Sequence, residues 1–222
     1  MATKKSQRYG IIIILTALVI GTFGSFAAMV LGSENQAKDA ANQQVALQKY
    51  QDEYNKYQEK VTAQGDSLST EYYPKFSPYS TRVAAFDRDA VKELQTEDII
   101  VGEGELIGDE TKFAAYYIGW NPTGKIFDQS IADNKLKPPF VIEGGLKSAG
   151  VIEGWKEGLK GMRIGGVREI VIPSEKAYGE AGQGDDIPPN TALKFVVMAI
   201  EAPEAIPMPD YPAELMQGPF GQ

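Results

Sequence analysis

The chain has 222 residues, 43% of them apolar and 23% charged, which suits one or two packed domains and argues against wholesale disorder. It contains neither cysteine nor histidine, which excludes disulfide frameworks, thiol nucleophiles, Cys/His zinc sites and any mechanism built on an imidazole base. A formal charge of −8 argues against a nucleic-acid partner, which would want a basic stripe.

No charged residue lies between Arg8 and Glu34. The stretch Tyr9–Leu31 is 23 residues long. As a helix it would extend roughly 34 Å, against a hydrocarbon core of about 30 Å, so residues 9–31 read as a single transmembrane helix. Lys4, Lys5 and Arg8 precede it and all 30 acidic residues follow it. The positive-inside bias therefore leaves residues 1–8 in the cytoplasm and places everything after Leu31 on the extracytoplasmic side of the cell membrane. Absence of cysteine suits such an oxidising exterior. The competing reading is a cleaved signal peptide, for which Ala27, Ala28 and Gly32 offer small residues. The apolar run exceeds the usual h-region of about 7–15 residues, which favours an uncleaved signal anchor.

Residues 32–89 read as a helical arm and a connection. The arm, 36–64, is rich in Gln, Ala, Lys, Glu and Tyr and has neither Gly nor Pro. Leu47, Tyr50, Tyr54, Tyr57 and Val61 are spaced 3-4-3-4, the seam of a short coiled coil. That seam points either to a homodimer through residues 36–64 or to packing within the chain. Gly65-Asp66-Ser67 is expected to end the helix, and an irregular connection with Pro74 and Pro78 follows, carrying Tyr72, Tyr73, Phe76 and Tyr79 onto some apolar partner.

From about Asp98 the pattern changes to strands and turns. Lys112–Trp120, Gly166–Ile172 and Thr191–Ile200 are β-rich apolar runs, and Asn121-Pro122-Thr123-Gly124 marks a turn. One short helix fits near Ile152–Leu159, between Gly150 and Gly161. The fold class expected is α+β on an antiparallel sheet. The last segment, 202–222, holds five of the 13 prolines and reads as an extended tail.

Phosphate-loop and dinucleotide fingerprints are absent, and Asp87-Arg88-Asp89 fails as a calcium loop because Lys92 stands at the sixth position. Asp185-Asp186 reads as a solvated loop tip. What remains is a set of aromatic and aliphatic residues near glycine-marked bends. Four stretches carry them in order: Lys125-Ile126-Phe127-Asp128-Gln129-Ser130; Gly150-Val151-Ile152-Glu153-Gly154-Trp155-Lys156-Glu157-Gly158-Leu159; Ala177-Tyr178-Gly179; and Ile187-Pro188-Pro189-Asn190. Together they resemble the signatures of FKBP-type peptidyl-prolyl cis-trans isomerases, over about residues 90–201.

The resemblance implies a curved antiparallel sheet wrapped around one short helix, with an apolar pocket between them. It implies Trp155 as the pocket floor, with Tyr117, Phe127, Phe140, Val151, Ile152, Ile187 and Phe195 as walls. Asp128 and the Tyr178 hydroxyl would be polar groups, and the Ile152 N–H would face a substrate carbonyl. The substrates implied are proline-containing polypeptides, and no cofactor is needed. Two departures stand out. The arginine usual in the family shortly after the Phe-Asp pair is missing, replaced by a longer stretch, Ile131-Ala132-Asp133-Asn134-Lys135, which leaves Tyr117 as the expected partner of Asp128. Gln183 stands where a histidine is common. The function implied is isomerisation of X-Pro bonds assisting exported or surface proteins. The alternatives are a non-catalytic peptide-binding or chaperone module on the same scaffold, and a membrane scaffold assembled through the Tyr-rich arm.

Overall fold

The computed structural model describes the backbone of residues 5–216 and the side chains of residues 38–216 other than Glu214. Two compact units result, Met1–Gln58 with Pro207–Gln222, and Glu59–Ile206. The second is wider than the 90–201 span of the family resemblance. Among the described residues no helix is long and apolar enough to cross a membrane, and the expected span 9–31 lies outside the residues whose side chains are described.

Helix α1 runs Lys5–Phe76, so the expected stop at Gly65-Asp66-Ser67 does not occur. A glycine inside a helix costs about 1 kcal/mol relative to alanine. The turns beyond it recover more than that by packing: Ser69 and Phe76 are buried, while Tyr72 and Tyr73 lie against the sheet. The connection is also more regular than expected, with 3₁₀ turns at Ser77–Arg82 and Arg88–Ala90.

The sheet of the second unit contains β1 (Gln95–Ile100), β2 (Phe113–Trp120) and β3 (Ile126–Gln129). A small hairpin, β4 (Ile131–Ala132) and β5 (Lys135–Leu136), stands apart from it. β6 (Phe140–Ile142), β7 (Val167–Ile172) and β8 (Leu193–Ile200) complete the sheet, in order β1-β7-β8-β2-β3 with β6 pairing β2. Every pairing is antiparallel. Register shifts in β1 at Asp98/Ile100 and in β2 at Gly119/Trp120 bend the sheet. The three apolar runs of the sequence are thus β2, β7 and β8.

Alternation along the strands explains why those runs look apolar throughout. On β2, Phe113 and Ala115 join the inner cluster, whereas Ala114, Tyr116, Ile118 and Trp120 join an outer one. On β8, Phe195, Val197 and Ala199 face inward, and Val196, Met198 and Ile200 face outward. Strands buried on both faces lose the polar half of the alternation. The outer face is covered by the end of α1 and the connection, through Tyr72, Tyr73, Phe76, Tyr79, Val83 and Phe86. Trp120 Nε1 donates to the Ala84 carbonyl at 3.0 Å, and Arg82 bridges Glu169 and Glu97 at 2.7 and 3.0 Å. The aromatic residues of the connection therefore have their partner, the outer face of this sheet.

The inner face carries the expected short helix, here α3 (Glu153–Leu159), after a four-residue helix α2 (Gly145–Ser148) that the sequence pattern does not announce. Two glycines set how closely α3 lies on β7. A Cβ on Gly154 would stand 2.3 Å from Ile172 Cγ2, and one on Gly158 2.7 Å from Ile170 Cγ2. The end of α3 is capped from below by buried Arg168, which donates Nη1 to the Gly158 carbonyl at 2.9 Å. The same guanidinium grips Asp98 of β1 with two bonds of 2.7 and 2.9 Å.

In the first unit, one tyrosine of the α1 seam, Tyr50, meets the tail. Tyr50 packs edge-on against Tyr211, centroids 5.2 Å apart, and stacks with Tyr54. Leu47 and Tyr54 stay exposed. The tail has no regular secondary structure through Pro212 and then forms a short helix, α4 (Ala213–Met216).

Candidate active site

A cleft of about 460 Å³ opens between α3 and the inner face of the sheet. Tyr117, Phe127, Asp128, Phe140, Val151, Ile152, Trp155, Tyr178 and Phe195 line it, so residues from four strands, one helix and two loops converge. Trp155 sits at the base of this arrangement, 4% exposed. It projects from the first turn of α3, whose start is fixed by the Trp155 N–H donating to the Ile152 carbonyl at 3.0 Å. Three rings stand edge-on around the indole: Tyr117 at 5.3 Å, Phe195 at 5.6 Å and Phe140 at 6.2 Å between centroids. Phe127 in turn meets Phe195 at 5.5 Å and 82°. Such T-shaped contacts place positive ring edges on negative faces, each worth about 0.5–1.5 kcal/mol beyond the area buried. Four rings locked this way form a rigid apolar wall.

Polar groups are few. The Tyr117 hydroxyl donates to Asp128 Oδ2, and the Gln129 N–H donates to Asp128 Oδ1 at 2.8 Å. Among the described residues no cation pairs with Asp128. Burial, then the bond to the Asp128 carboxylate, push the Tyr117 phenol far above its ordinary range, so it remains a donor. The Ile152 N–H has no acceptor among the described residues. Tyr178 is carried by a loop tied to itself, with Gly179 N–H donating to Ser174 O and Asn190 N–H to Gly179 O at 2.9 and 2.7 Å.

Ile187 departs from the expectation. It does not line the cleft and is 3% exposed within the inner cluster. The Gln183 N–H donates to the Ile187 carbonyl at 2.7 Å, and Asn121 Nδ2 to the Asp186 carbonyl at 2.9 Å. Held at those two carbonyls, the loop turns the Ile187 side chain into the core. Asp186, its side chain solvent-exposed at this loop tip, pairs with Lys125.

Two residues matter to the cleft that sequence reasoning passed over. Gly119 has no room for a side chain: a Cβ there would lie 2.6 Å from Phe195 and 2.7 Å from Phe127. A glycine inside a β-rich run is the signal that could have found it. Ser130, 5% exposed, accepts the Tyr117 N–H on its hydroxyl at 2.9 Å and donates its own N–H to Tyr117 O at 2.8 Å. Nothing in its local sequence marks that role, because the partner is thirteen residues away.

Residues 104–200 match the family described as FKBP-type peptidyl-prolyl cis-trans isomerase. An "FK506-binding protein" of Neisseria meningitidis is 37% identical over 111 residues, which is 50% of this chain and 97% of that relative. The chain belongs to the FKBP-type peptidyl-prolyl cis-trans isomerases. A "Probable FKBP-type 25 kDa peptidyl-prolyl cis-trans isomerase" of Pseudomonas aeruginosa is 34% identical over 146 residues, 63% of this chain and 59% of the relative. "FK506-binding protein 4" of Dictyostelium discoideum is 40% identical over 104 residues, but the chain spans only 27% of it. The FKBP-type isomerase domain is thus shared, whereas α1 before residue 59 and the tail belong to the part that the family match leaves out.

Proposed function

We propose that this FKBP-type enzyme isomerises X-Pro bonds of polypeptides in the cleft over Trp155. The observation that carries this reading is the enclosure of one buried indole by three edge-on rings, with the Tyr117–Asp128 pair and the Ile152 N–H at the margin. An amide rotates over a barrier of about 18–20 kcal/mol set by resonance, and an unassisted X-Pro bond takes tens to hundreds of seconds. Twisting the bond pyramidalises the nitrogen and reduces charge separation across C, N and O. A dry aromatic wall favours that less polar state over the planar one, and fixed donors hold the carbonyl while the bond turns. The proline ring rests on Trp155 between Phe127 and Phe195, the Ile152 N–H receives the substrate carbonyl, and Tyr178 contributes its hydroxyl at the rim. Nothing in this scheme requires a nucleophile, a metal or a titrating base.

The client polypeptides are exported or surface chains, a reading supported by the uncharged run 9–31 and the basic residues before it. The protein is read as single-pass with its cleft on the extracytoplasmic side. The seam of α1 is read as a docking face for the tail rather than as a dimer interface, because Tyr211 already meets Tyr50.

The test is an X-Pro peptide assay on the full chain, beside Phe127→Ala and Trp155→Ala with folding monitored separately. Strong losses in both variants are expected. A folded wild-type chain no faster than solvent on several X-Pro peptides would remove the catalytic reading. Protease added to right-side-out vesicles should cleave the domain, and protection would remove the topology.

A further inference from the structure

The cleft's polar pair is connected to α1 by an unbroken run of contacts through the β4–β5 hairpin. At the cleft end, Tyr117 exchanges two hydrogen bonds with Ser130, whose carbonyl accepts the Lys137 N–H at 2.8 Å. The hairpin lies between Ser130 and Lys137, with Ile131 paired to Leu136. Lys137 Nζ also reaches back to the Gln129 carbonyl at 2.7 Å, beside Asp128. At the other end, the Leu136 N–H donates to the Ser69 hydroxyl of α1 at 2.9 Å, a buried bond, and Leu136 sits in the outer cluster with Phe76 and Tyr116. The exposed pair Lys135–Asp66, at 3.2 Å, closes the rim of the same contact. Asp133 and Asn134 turn the hairpin with positive φ values of 49° and 58°, so its tip is a tight, fixed turn.

Resting on the isomerase reading above, we infer that Ser69 of α1 is a positioning residue for the cleft: through the hairpin it holds Ser130 and hence the Tyr117–Asp128 pair in place. The stretch 131–135 thus braces the pair from the helix behind the sheet. α1 is then part of the catalytic scaffold and not only a tether. The physical basis is the asymmetry of buried hydrogen bonds. Losing the Ser69 oxygen leaves the Leu136 N–H buried without an acceptor, and the hairpin must shift to rehydrate it. Any such shift is passed to Ser130, which has no slack because its N–H, C=O and hydroxyl are all engaged.

The experiment uses the full chain with Ser69→Ala and Ser69→Thr, and Ser69→Cys, whose sulfur is a weak acceptor of similar size, in case the alanine variant does not fold. Three quantities are read: kcat and KM on an X-Pro peptide, thermal unfolding, and amide hydrogen exchange by mass spectrometry. The expected result for Ser69→Ala is a fall in kcat of about three- to tenfold with KM within about twofold, restored by Ser69→Thr. Exchange should quicken in peptides covering 113–120 and 126–137 while β7 and β8 stay protected. Unchanged kcat, failure of threonine to rescue, or faster exchange spread evenly over the sheet would each overturn the inference. A wild-type chain inactive on peptides would strike the isomerase reading instead. The exchange pattern would still decide whether the hairpin transmits the loss of Ser69.

Discussion

Tyr116 and Tyr117 are neighbours on β2, and the pleat sends them to opposite faces with opposite outcomes. Tyr117 finds Asp128 at the cleft margin. Tyr116 is fully buried under Phe76 and Tyr72, and its hydroxyl has no hydrogen-bond partner among the described residues. Burial, followed by the neighbouring Tyr72 and Glu71, pushes its phenol up to about 12. A buried donor without a partner costs about 1–3 kcal/mol, so Tyr116→Phe should stabilise the protein, by about 1 kcal/mol after the loss of polar packing. The variant has a second readout. With its folded value raised, the phenol leaves stability independent of pH below the unfolded value near 10 and lowers it as pH climbs toward the folded value, because only the unfolded chain ionises. Wild-type stability should therefore decline between about pH 10 and 12, and Tyr116→Phe should decline less steeply. Thermal unfolding across that range measures both effects. A lower midpoint for the variant at pH 7 would contradict the orphaned hydroxyl.

At the scale of elements, α3 is a seven-residue helix that intrinsic propensity would not sustain. It persists because its glycines let it sink onto β7 and because Arg168 donates to the carbonyls of Gly158 and of Lys160, the residue just past its end. Gly154→Ala sets two effects against each other. Helix propensity gains about 1 kcal/mol, whereas forcing a methyl within 2.3 Å of Ile172 costs about 1–3 kcal/mol by overpacking. Overpacking should win, by about 1 kcal/mol in denaturant unfolding, and kcat/KM should fall because Trp155, the next residue, moves with the backbone. A variant more stable than wild type would show that the helix has room to rise. The Arg168–Asp98 bridge gives the acid limb. The bond from Arg168 holds the Asp98 carboxyl below its ordinary value, against the opposing pull of burial. A depressed carboxyl contributes fully above its unfolded value and loses that contribution as pH falls through the folded one. Stability should thus fall below about pH 4, and Asp98→Asn, weaker at neutral pH, should fall less steeply there. Parallel acid profiles for the two proteins would remove Asp98 from the account.

For the whole molecule, the compact unit begins at Glu59, not where the family match begins. Phe76, Tyr116, Ile118 and Trp120 are at most 1% exposed because residues 69–86 cover the outer face. A fragment starting at residue 87 uncovers that face and should be markedly less stable, with dye-binding apolar surface, whereas 59–206 should unfold cooperatively. Equal unfolding midpoints for the two fragments would show the cover to be dispensable. The covering segment is therefore expected to behave as part of the domain in limited proteolysis.

Much of the site was legible in the chain alone. The ordered motifs around Phe127, Ile152–Trp155 and Tyr178 are local and carry the family resemblance. It is that resemblance which implies nine residues of the cleft, Tyr117, Phe140 and Phe195 among them although they lie outside the motifs. The α+β class and α3 follow from the pattern of strands and turns. The length of β2, β7 and β8 was legible for the same reason, since a run of apolar residues needs no partner to be noticed. Only the tertiary structure decided what covers the outer sheet face, why α1 continues past Gly65, and where Ile187 points. Each of these turns on contacts between residues far apart in sequence: Phe76 with Tyr116, Ser69 with Leu136, Asn121 with Asp186. Gly65 shows the physical reason. Its helix-breaking preference is worth about 1 kcal/mol and is written in one residue, whereas the packing that overrides it is summed over side chains brought together only when the sheet has formed.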